Sequence, residues 1–172
     1  MTEQGHEGVL SLFIPSANEV AGMLLSDSRI ALVSFTGSSG VGRKVADLVG
    51  RQLGRRNMLE CSANDGCIVD ETADLKLAAR SITFGVVGTT GQRCTSTRRI
   101  IVQRGVAARF TELLADAFGQ IKVGDPRDPD TVVGPLIDHA AVDRFEAAVG
   151  QAVSLGGRVV FGGNRIKLKR VN

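Results

Sequence analysis

The sequence predicts an α/β protein in which helices flank a parallel sheet. Short apolar runs alternate with longer segments whose apolar residues recur at helical spacing, and the run at residues 30–35 predicts a buried parallel strand. Turns rich in glycine and proline separate the two kinds of segment. Strands that alternate with helices along a chain usually lie parallel in one sheet, with the helices packed on its faces.

The first part of the chain is predicted to hold short strands and two helices. The apolar runs that predict strands are residues 9–14, 30–35, 57–60 and 66–69. The segments with helical periodicity are residues 18–25 and 41–53. Gly54 is expected to end the second of these helices.

The rest of the chain continues the alternation. The predicted helices cover residues 75–87, 110–121 and 142–153, and the predicted strand covers residues 100–102. Asp74 is a candidate N-cap for the first of these helices, which runs into a turn at residues 88–91. Gly156 is expected to end the last helix.

Composition and charge narrow the class of protein. The 172 residues are 43% hydrophobic and 23% charged, as in a globular protein that buries a modest core. No apolar run approaches the ~20 residues of a membrane span, and residues 1–8 lack the pattern of a secretory signal, so we expect a cytoplasmic protein. The net charge is +3, but only Lys167, Lys169 and Arg170 form a basic cluster, and tyrosine and tryptophan are absent. Nucleic acid is therefore not an expected partner.

The cysteines and histidines favour neither a disulfide framework nor a metal site. Cys61, Cys67 and Cys94 are an odd number of thiols without a repeating spacing. His6 and His139 are the two histidines, so a zinc site would need ligands from distant segments. No metal is expected.

The segment around Cys94 is the most informative part of the chain. Cys94 lies between Arg93 and Thr95, just after the glycine-flanked turn at residues 88–91. A neighbouring cation raises the thiolate fraction of a cysteine, and flanking glycines let a carbonyl approach the backbone amides. On these residues alone Cys94 is either a reactive thiol or an inert packing residue, because most buried cysteines are inert.

Two further segments carry candidate chemistry. The glycine-rich stretch at residues 37–42 lies between a predicted strand and a predicted helix, where free amides and the helix dipole attract phosphate. It matches neither the dinucleotide fingerprint nor the P-loop, so its spacing alone favours a tight turn without a ligand. Glu60 ends an apolar strand, where low polarity would suit a general base, and a solvated carboxylate is the alternative.

Taken together, these segments resemble the aldehyde dehydrogenase superfamily, in which an FTGS turn, a Glu-Leu-Gly-Gly motif and a Gly-Gln-x-Cys motif follow one another. The chain carries FTGSSGVGRKV at residues 35–45, MLECSAND at residues 58–65 and GTTGQRCTSTRR at residues 88–99. Arg93 and the stretch IKVGDPRDPDTVVGPLID at residues 121–138 are similar to the antiquitin-like branch, which oxidises the semialdehyde of α-aminoadipate.

The resemblance implies a partial aldehyde dehydrogenase fold. Residues 1–61 would be part of the Rossmann-like cofactor-binding domain behind a divergent leader, and residues 62–172 part of the thiol-bearing catalytic domain. The family's complete chains extend beyond both ends of this segment. We therefore expect a central piece that lacks the family's oxyanion-hole asparagine, its ribose-binding residues and its oligomerisation strand.

The resemblance also implies a cofactor and the residues that bind it. The cofactor would be NAD, with NADP as the alternative. Gly37 and Ser38 would bind its pyrophosphate, Val41 would pack on the adenine side, and Cys61 would lie by the nicotinamide.

The implied reaction is the oxidation of an aldehyde. The thiolate of Cys94 would attack the carbonyl carbon, backbone amides would stabilise the oxyanion, and Glu60 would activate water against the resulting thioester. Arg93 would pair with a carboxylate of the substrate, with an ion pair inside the protein as the alternative. Thr95, beside the thiol, is a second candidate for substrate contact.

Two stretches depart from the family pattern. Cys61-Ser62-Ala63 stands where the family has Leu-Gly-Gly, and Pro15-Ser16-Ala17-Asn18 stands where it has glycines. If a glycine position after Glu60 requires positive φ, a β-carbon there costs about 1–2 kcal/mol and would strain or displace the site.

Two other functions remain open from the sequence. The chain could be a catalytically inactive fragment that acts as an interaction or assembly module, pairing through sheet edges as a homo-oligomer or with an intact relative. A cysteine hydrolase that uses Cys94 and His139 is the other, although nothing local orients the imidazole.

Overall fold

The computed structural model of the chain describes residues 5, 8–15 and 18–166. Outside the described residues lie His6, Ser16, Ala17, Lys167, Lys169 and Arg170. The chain divides into two compact units, Met1–Ser62 and Ala63–Asn172, beside the boundary expected from the sequence. The assignment of cofactor binding to one half and of catalysis to the other stays a prediction.

The first unit alternates helix and strand. Its elements are α1 (Asn18–Ser26), β1 (Leu32–Gly37), α2 (Ser39–Gly50) and β2 (Arg56–Cys61). The two strands pair in parallel, with Leu32 opposite Arg56 and Gly37 opposite Cys61. The helix α2 contacts both strands and buries Val45 and Val49, which form the core of this unit.

One arginine ties the loops of the first unit together. Arg55 donates from Nε to the carbonyl of Ile30 and from Nη1 to that of Leu25, each at 2.7 Å. Because these acceptors flank the connection between α1 and β1, the guanidinium fixes the start of β1 beside the start of β2.

The second unit begins with a second pair of parallel strands. Its elements are β3 (Asp65–Val69), α3 (Leu75–Val87), a 3₁₀ turn (Gly88–Gly91), β4 (Thr97–Val102), α4 (Arg104–Gly119) and α5 (His139–Ser154). Cys67 lies opposite Ile100, and Val69 lies opposite Val102. Both α3 and α4 pack on one face of this pair.

The core of the second unit lies between the strands and these two helices. The buried cluster consists of Val69, Ala79, Ile82 and Phe110. Asp74 caps α3, since its side chain accepts from the amides of Lys76 at 3.0 Å and Leu77 at 3.1 Å. The predicted cap is confirmed.

The predicted α/β class, with parallel strands and flanking helices, is confirmed, but three details are wrong. Residues 9–14 form no strand, because an apolar run needs a neighbouring strand to complete its hydrogen-bond ladder and no strand among the described residues pairs with it. The strands form two separate two-stranded sheets rather than one. The strand predicted at residues 30–35 is not buried, since Leu32 is 51% exposed. No helix in the described part of the chain is long and apolar enough to span a membrane.

Candidate active site

In the first unit, the junction of β1 and α2 has the geometry of an anion-binding turn. Ser38 is the N-cap of α2, and its hydroxyl accepts from the amide of Val41 at 3.3 Å. A helix leaves its first amides without intrahelical partners, and here these belong to Ser39 and Gly40. Together with the positive end of the helix dipole they favour a phosphate. The side chain of Val41 is exposed beside them.

Two glycines allow close packing behind this turn. A β-carbon on Gly42 would lie 2.6 Å from Sγ of Cys61, and one on Gly37 would lie 2.6 Å from Cζ of Phe35. Real β-carbons do not approach other atoms so closely, so both positions require glycine unless the neighbour moves. The thiol of Cys61, at the end of β2, therefore rests directly against the first turn of α2.

Glu60 lies near the carboxyl end of β2, opposite Thr36. Its side chain is exposed in the first unit. Because the side chain is exposed, the described residues of this unit do not provide the low-polarity surroundings that would suit a general base. Its role as a general base remains a prediction.

The strain expected after Glu60 does not occur. Among the described residues other than glycine, positive φ is found at Thr89 and Thr90, and not at Ser62 or Ala63. Instead the backbone continues the strand pairing, since the amide of Ser62 donates to the carbonyl of Gly37 at 3.0 Å. The hydroxyl of Ser39 also donates to the carbonyl of Ser62, at 3.3 Å. Serine and alanine fit because these positions do not require a left-handed backbone.

In the second unit, Cys94 lies in a tight turn between the 3₁₀ turn and β4. The amide of Ser96 donates to the carbonyl of Arg93 at 3.3 Å, and the hydroxyl of Ser96 accepts from the amide of Arg93 at 3.2 Å. Ser96 is buried, whereas Cys94 and Thr95 are exposed between the two closing residues. The reciprocal hydrogen bonds thus present the thiol to solvent on a closed backbone loop.

The turn before Cys94 holds the conformational outliers that the sequence interpretation missed. Thr89 has φ 54° and Thr90 has φ 56°, both in the left-handed region, followed by Gly91 at φ 68°. Left-handed backbone costs about 1–2 kcal/mol for a residue with a β-carbon. Such outliers concentrate at functional sites. The sequence gives no signal for them, because glycine rather than threonine usually marks this conformation.

The side chain of Arg93 points back along the end of α3. Its Nε donates to Oγ1 of Thr89 at 2.8 Å, and its Cζ lies 6.0 Å from the ring centroid of Phe84. A β-carbon on Gly88 would lie 3.1 Å from the same Cζ. In the described part of the chain, the hydrogen bond of this guanidinium therefore goes to Thr89 rather than to the Cys94 thiol.

The connector of residues 121–138 contacts the same turn. The hydroxyl of Thr90 donates to the carbonyl of Gly134 at 3.4 Å, and the amide of Ile137 donates to Oε1 of Gln92 at 3.3 Å. A cavity of about 670 Å³ lies between this connector, Thr90 and the start of α5. The turn that carries Cys94, residues 88–96 (the thiol turn), is thus held in place by contacts with residues distant in sequence.

Asp125 and Asp128 of the connector each form an ion pair. Hydrogen bonds from the side chain and the amide of Arg127 lower the pKa of Asp125 to about 2. Lys122, 2.9 Å from Asp128, lowers the pKa of that carboxyl. Among the residues that the structure describes, no group of three or more His, Cys, Asp or Glu side chains could hold a metal ion.

His139 begins α5 and is exposed. Its Nδ1 lies 3.3 Å from Nη2 of Arg165, and within residues 18–166 no hydrogen bond joins it to Cys94. The structure thus offers no support for the pairing that a cysteine hydrolase would require.

These observations define an α/β protein that carries a candidate phosphate-binding turn in one unit and an exposed thiol in the other. Comparison with known proteins gives the family. The model of the aldehyde dehydrogenase family matches residues 4–172. The chain therefore belongs to the aldehyde dehydrogenase family.

Individual relatives agree with this assignment. The chain is 42% identical over 146 residues to aldehyde dehydrogenase family 7 member A1 of Pisum sativum, covering 85% of this chain and 28% of that protein. It is 38% identical over 156 residues to the alpha-aminoadipic semialdehyde dehydrogenase of Mus musculus, covering 91% of this chain and 29% of that protein. The chain thus spans under a third of the length of these relatives.

Solved structures show the same fold. The NAD-dependent aldehyde dehydrogenase of Sinorhizobium meliloti superposes with a TM-score of 0.84 at 32% identity, over 89% of this chain and 30% of that one. An indole-3-acetaldehyde dehydrogenase of P. syringae, solved in complex with NAD+ and IAA, superposes with a TM-score of 0.85 at 28% identity, over 90% of this chain and 32% of that one.

Proposed function

We propose that the chain takes part in the NAD- or NADP-dependent oxidation of an aldehyde to a carboxylic acid, with Cys94 as the covalent nucleophile. The observation that carries the proposal is the exposed thiol on a turn closed by Arg93 and Ser96. Family membership supports the reaction, and the exposure of the sulfur supports the role of Cys94, because a nucleophile must be reached by its substrate.

The residues around the β1–α2 turn fit a dinucleotide. The free amides of Ser39 and Gly40 would face the pyrophosphate, and the exposed side chain of Val41 would pack on the adenine side. Gly37 and Ser38, which form this turn, would bind the pyrophosphate with them, and Cys61 would lie by the nicotinamide. When bound, the cofactor accepts the hydride that leaves the substrate. NAD rather than NADP is the proposed form, because relatives with the same fold are described as NAD-dependent or were solved with NAD+.

The chemistry of the protein residues then follows in three steps. The thiolate of Cys94 bonds to the aldehyde carbon, and backbone amides stabilise the oxyanion that forms. Loss of hydride from that carbon leaves a thioester on Cys94. Glu60 takes a proton from water, which attacks the thioester and releases the acid together with the thiol.

The proposed substrate is an aldehyde that carries a carboxylate, such as the semialdehyde named for the mouse relative. Arg93 supports this choice, because a guanidinium binds carboxylates with fixed geometry and adjoins Cys94 in the chain. Thr95, exposed on the other side of the thiol, is the second proposed substrate contact.

Formation of NADH from NAD+ and a carboxylated aldehyde tests the proposal. We expect a rate for the unaltered chain and a loss of about three orders of magnitude or more in Cys94→Ala. The matched control is Cys67→Ala, which removes a thiol from β3 without touching the thiol turn and should retain the rate. If the unaltered chain forms NADH no faster than Cys94→Ala does, the chain does not catalyse the reaction by itself.

A second candidate function is assembly with a second copy of the chain or an intact relative. It is favoured by the uncovered face of the β3–β4 sheet, where the paired residues Ile68 and Ile101 are 78% and 59% exposed. Apolar sheet faces of this kind usually mark an interface. Concentration-dependent association in solution would support this candidate, and a monomer at every concentration would oppose it.

A further inference from the structure

We infer that Thr89 is a positioning residue, whose hydroxyl, placed by a left-handed backbone, holds Arg93 for the carboxylate of the substrate. The inference rests on the proposed function, since it deepens the role given there to Arg93. It starts from an anomaly, because Thr89 adopts φ 54° although a β-branched residue disfavours this conformation. Glycine would adopt the same backbone without strain.

The side chain of Thr89 accounts for this choice of residue. Its Oγ1 accepts a hydrogen bond from Nε of Arg93 at 2.8 Å, which glycine cannot do. Threonine at this position therefore has a strained backbone, but its hydroxyl fixes the guanidinium of Arg93.

Two neighbours hold the other sides of the guanidinium. The ring of Phe84 lies 6.0 Å from Cζ of Arg93, within the range of a cation–π contact. Gly88 leaves room for the group, because a β-carbon there would approach Nη1 and Nη2 to 3.2 Å. An aromatic face, a bare backbone and a hydroxyl therefore set the plane of Arg93.

This arrangement selects which nitrogens are left for a ligand. An arginine binds a carboxylate in bidentate fashion either through Nε and one Nη or through both Nη groups. Because Thr89 occupies Nε, the end of the fork formed by Nη1 and Nη2 is the part that can receive a carboxylate. This end of the fork is the inferred contact for the carboxylate of the proposed substrate.

Thr90 provides a matched control within the same turn. It has nearly the same backbone conformation, with φ 56°, but its hydroxyl contacts the carbonyl of Gly134 rather than Arg93. Replacing either threonine with glycine relieves the same kind of strain. Only the change at Thr89 removes the acceptor for Arg93.

The experiment measures binding of aldehydes at Cys94 without cofactor or turnover. A six-carbon aldehyde with a terminal carboxylate and hexanal are compared by the concentration of each that half-protects Cys94 from alkylation, read by mass spectrometry of the Cys94 peptide. The carboxylate preference is the half-protecting concentration of hexanal divided by that of the carboxylated aldehyde. Variants Arg93→Met, Thr89→Gly, Thr89→Ser and Thr90→Gly are compared with the unaltered chain, and thermal unfolding confirms that each is folded.

We expect Arg93→Met to abolish the preference and Thr89→Gly to lower it about tenfold or more, the effect of losing a hydrogen bond to a charged group. Thr89→Ser restores the acceptor and should lie within about twofold of the unaltered chain. Thr90→Gly should leave the preference unchanged.

Failure of the inference and failure of the proposed substrate have different signatures. If Arg93→Met loses the preference while Thr89→Gly keeps it, Thr89 does not position Arg93, and the proposed role of Arg93 stands. The same conclusion follows if Thr89→Ser or Thr90→Gly loses as much as Thr89→Gly. If the unaltered chain shows no preference, the proposed substrate class is wrong and the inference falls with it. If the unaltered chain shows the preference and Arg93→Met retains it, the proposed role of Arg93 is wrong, and the inference falls with that role.

Discussion

At the scale of single residues, the packing of Cys61 depends on a glycine in the neighbouring helix. Cys61 departs from the leucine of the family, and its thiol lies against Gly42 in the first turn of α2. The absence of a β-carbon at Gly42 gives the sulfur its space. The pair therefore behaves as one packing unit that joins β2 to α2.

Gly42→Ala should destabilise the chain by about 1–3 kcal/mol, because its β-carbon would lie 2.6 Å from the Cys61 sulfur in a packed position. The free energy of unfolding in urea measures the effect. Cys61→Ala in the same chain should recover most of the loss, since it removes the sulfur that the new methyl meets.

Gly40→Ala is the matched control for this packing unit. Gly40 lies in the same helix, and nothing lies within 4 Å of a β-carbon there. Alanine should be neutral or stabilise by about 0.5–1 kcal/mol, because it favours the helix over the unfolded chain. Equal stabilities of Gly40→Ala and Gly42→Ala would contradict the packing assigned to Cys61.

At the scale of elements, the β3–β4 sheet is covered on one face alone within the described residues. Val69, Ile100 and Val102 face α3 and α4, whereas Ile68 and Ile101 point to the open face. Parallel sheets are normally covered on both faces. The open face is thus the place where association of this chain is expected.

Sedimentation velocity over a range of concentrations should show that the chain associates. The double variant Ile68→Ser, Ile101→Ser should raise the dissociation constant of this association about tenfold or more, because less apolar surface is buried. Leu155→Ser is the control, since Leu155 is 80% exposed and lies beyond α5 rather than on the sheet. An equal effect of the control, or a monomer throughout, would argue against this interface.

At the scale of the whole molecule, locally encoded features could be predicted and nonlocal ones could not. The start of α3 at its Asp74 cap follows from neighbouring residues, and so does the end of α5 before Gly156 at φ 90°. The grouping of strands into two pairs depends on contacts between distant segments. Residues 9–14 show the same limit, because apolar composition does not supply a pairing partner.

The candidate site divides in the same way. The motifs around Ser38 and Cys94 are contiguous in sequence, so a family resemblance could single out both segments. The residues alone favoured a turn without a ligand and left Cys94 either reactive or inert. The direction of the Arg93 side chain could not be predicted. It depends on the left-handed backbone of Thr89, a conformation that the residue type disfavours.

The central claim is that Cys94 carries the acyl group during aldehyde oxidation, and trapping that thioester tests it most directly. Glu60→Gln, which should slow release of the acid, is mixed with NAD+ and a carboxylated aldehyde, and the cysteine peptides are weighed by mass spectrometry. We expect the acyl group on the Cys94 peptide, dependent on NAD+, and none on the peptides of Cys61 or Cys67. No acyl group on Cys94, or equal acylation of all three thiols, would contradict the account.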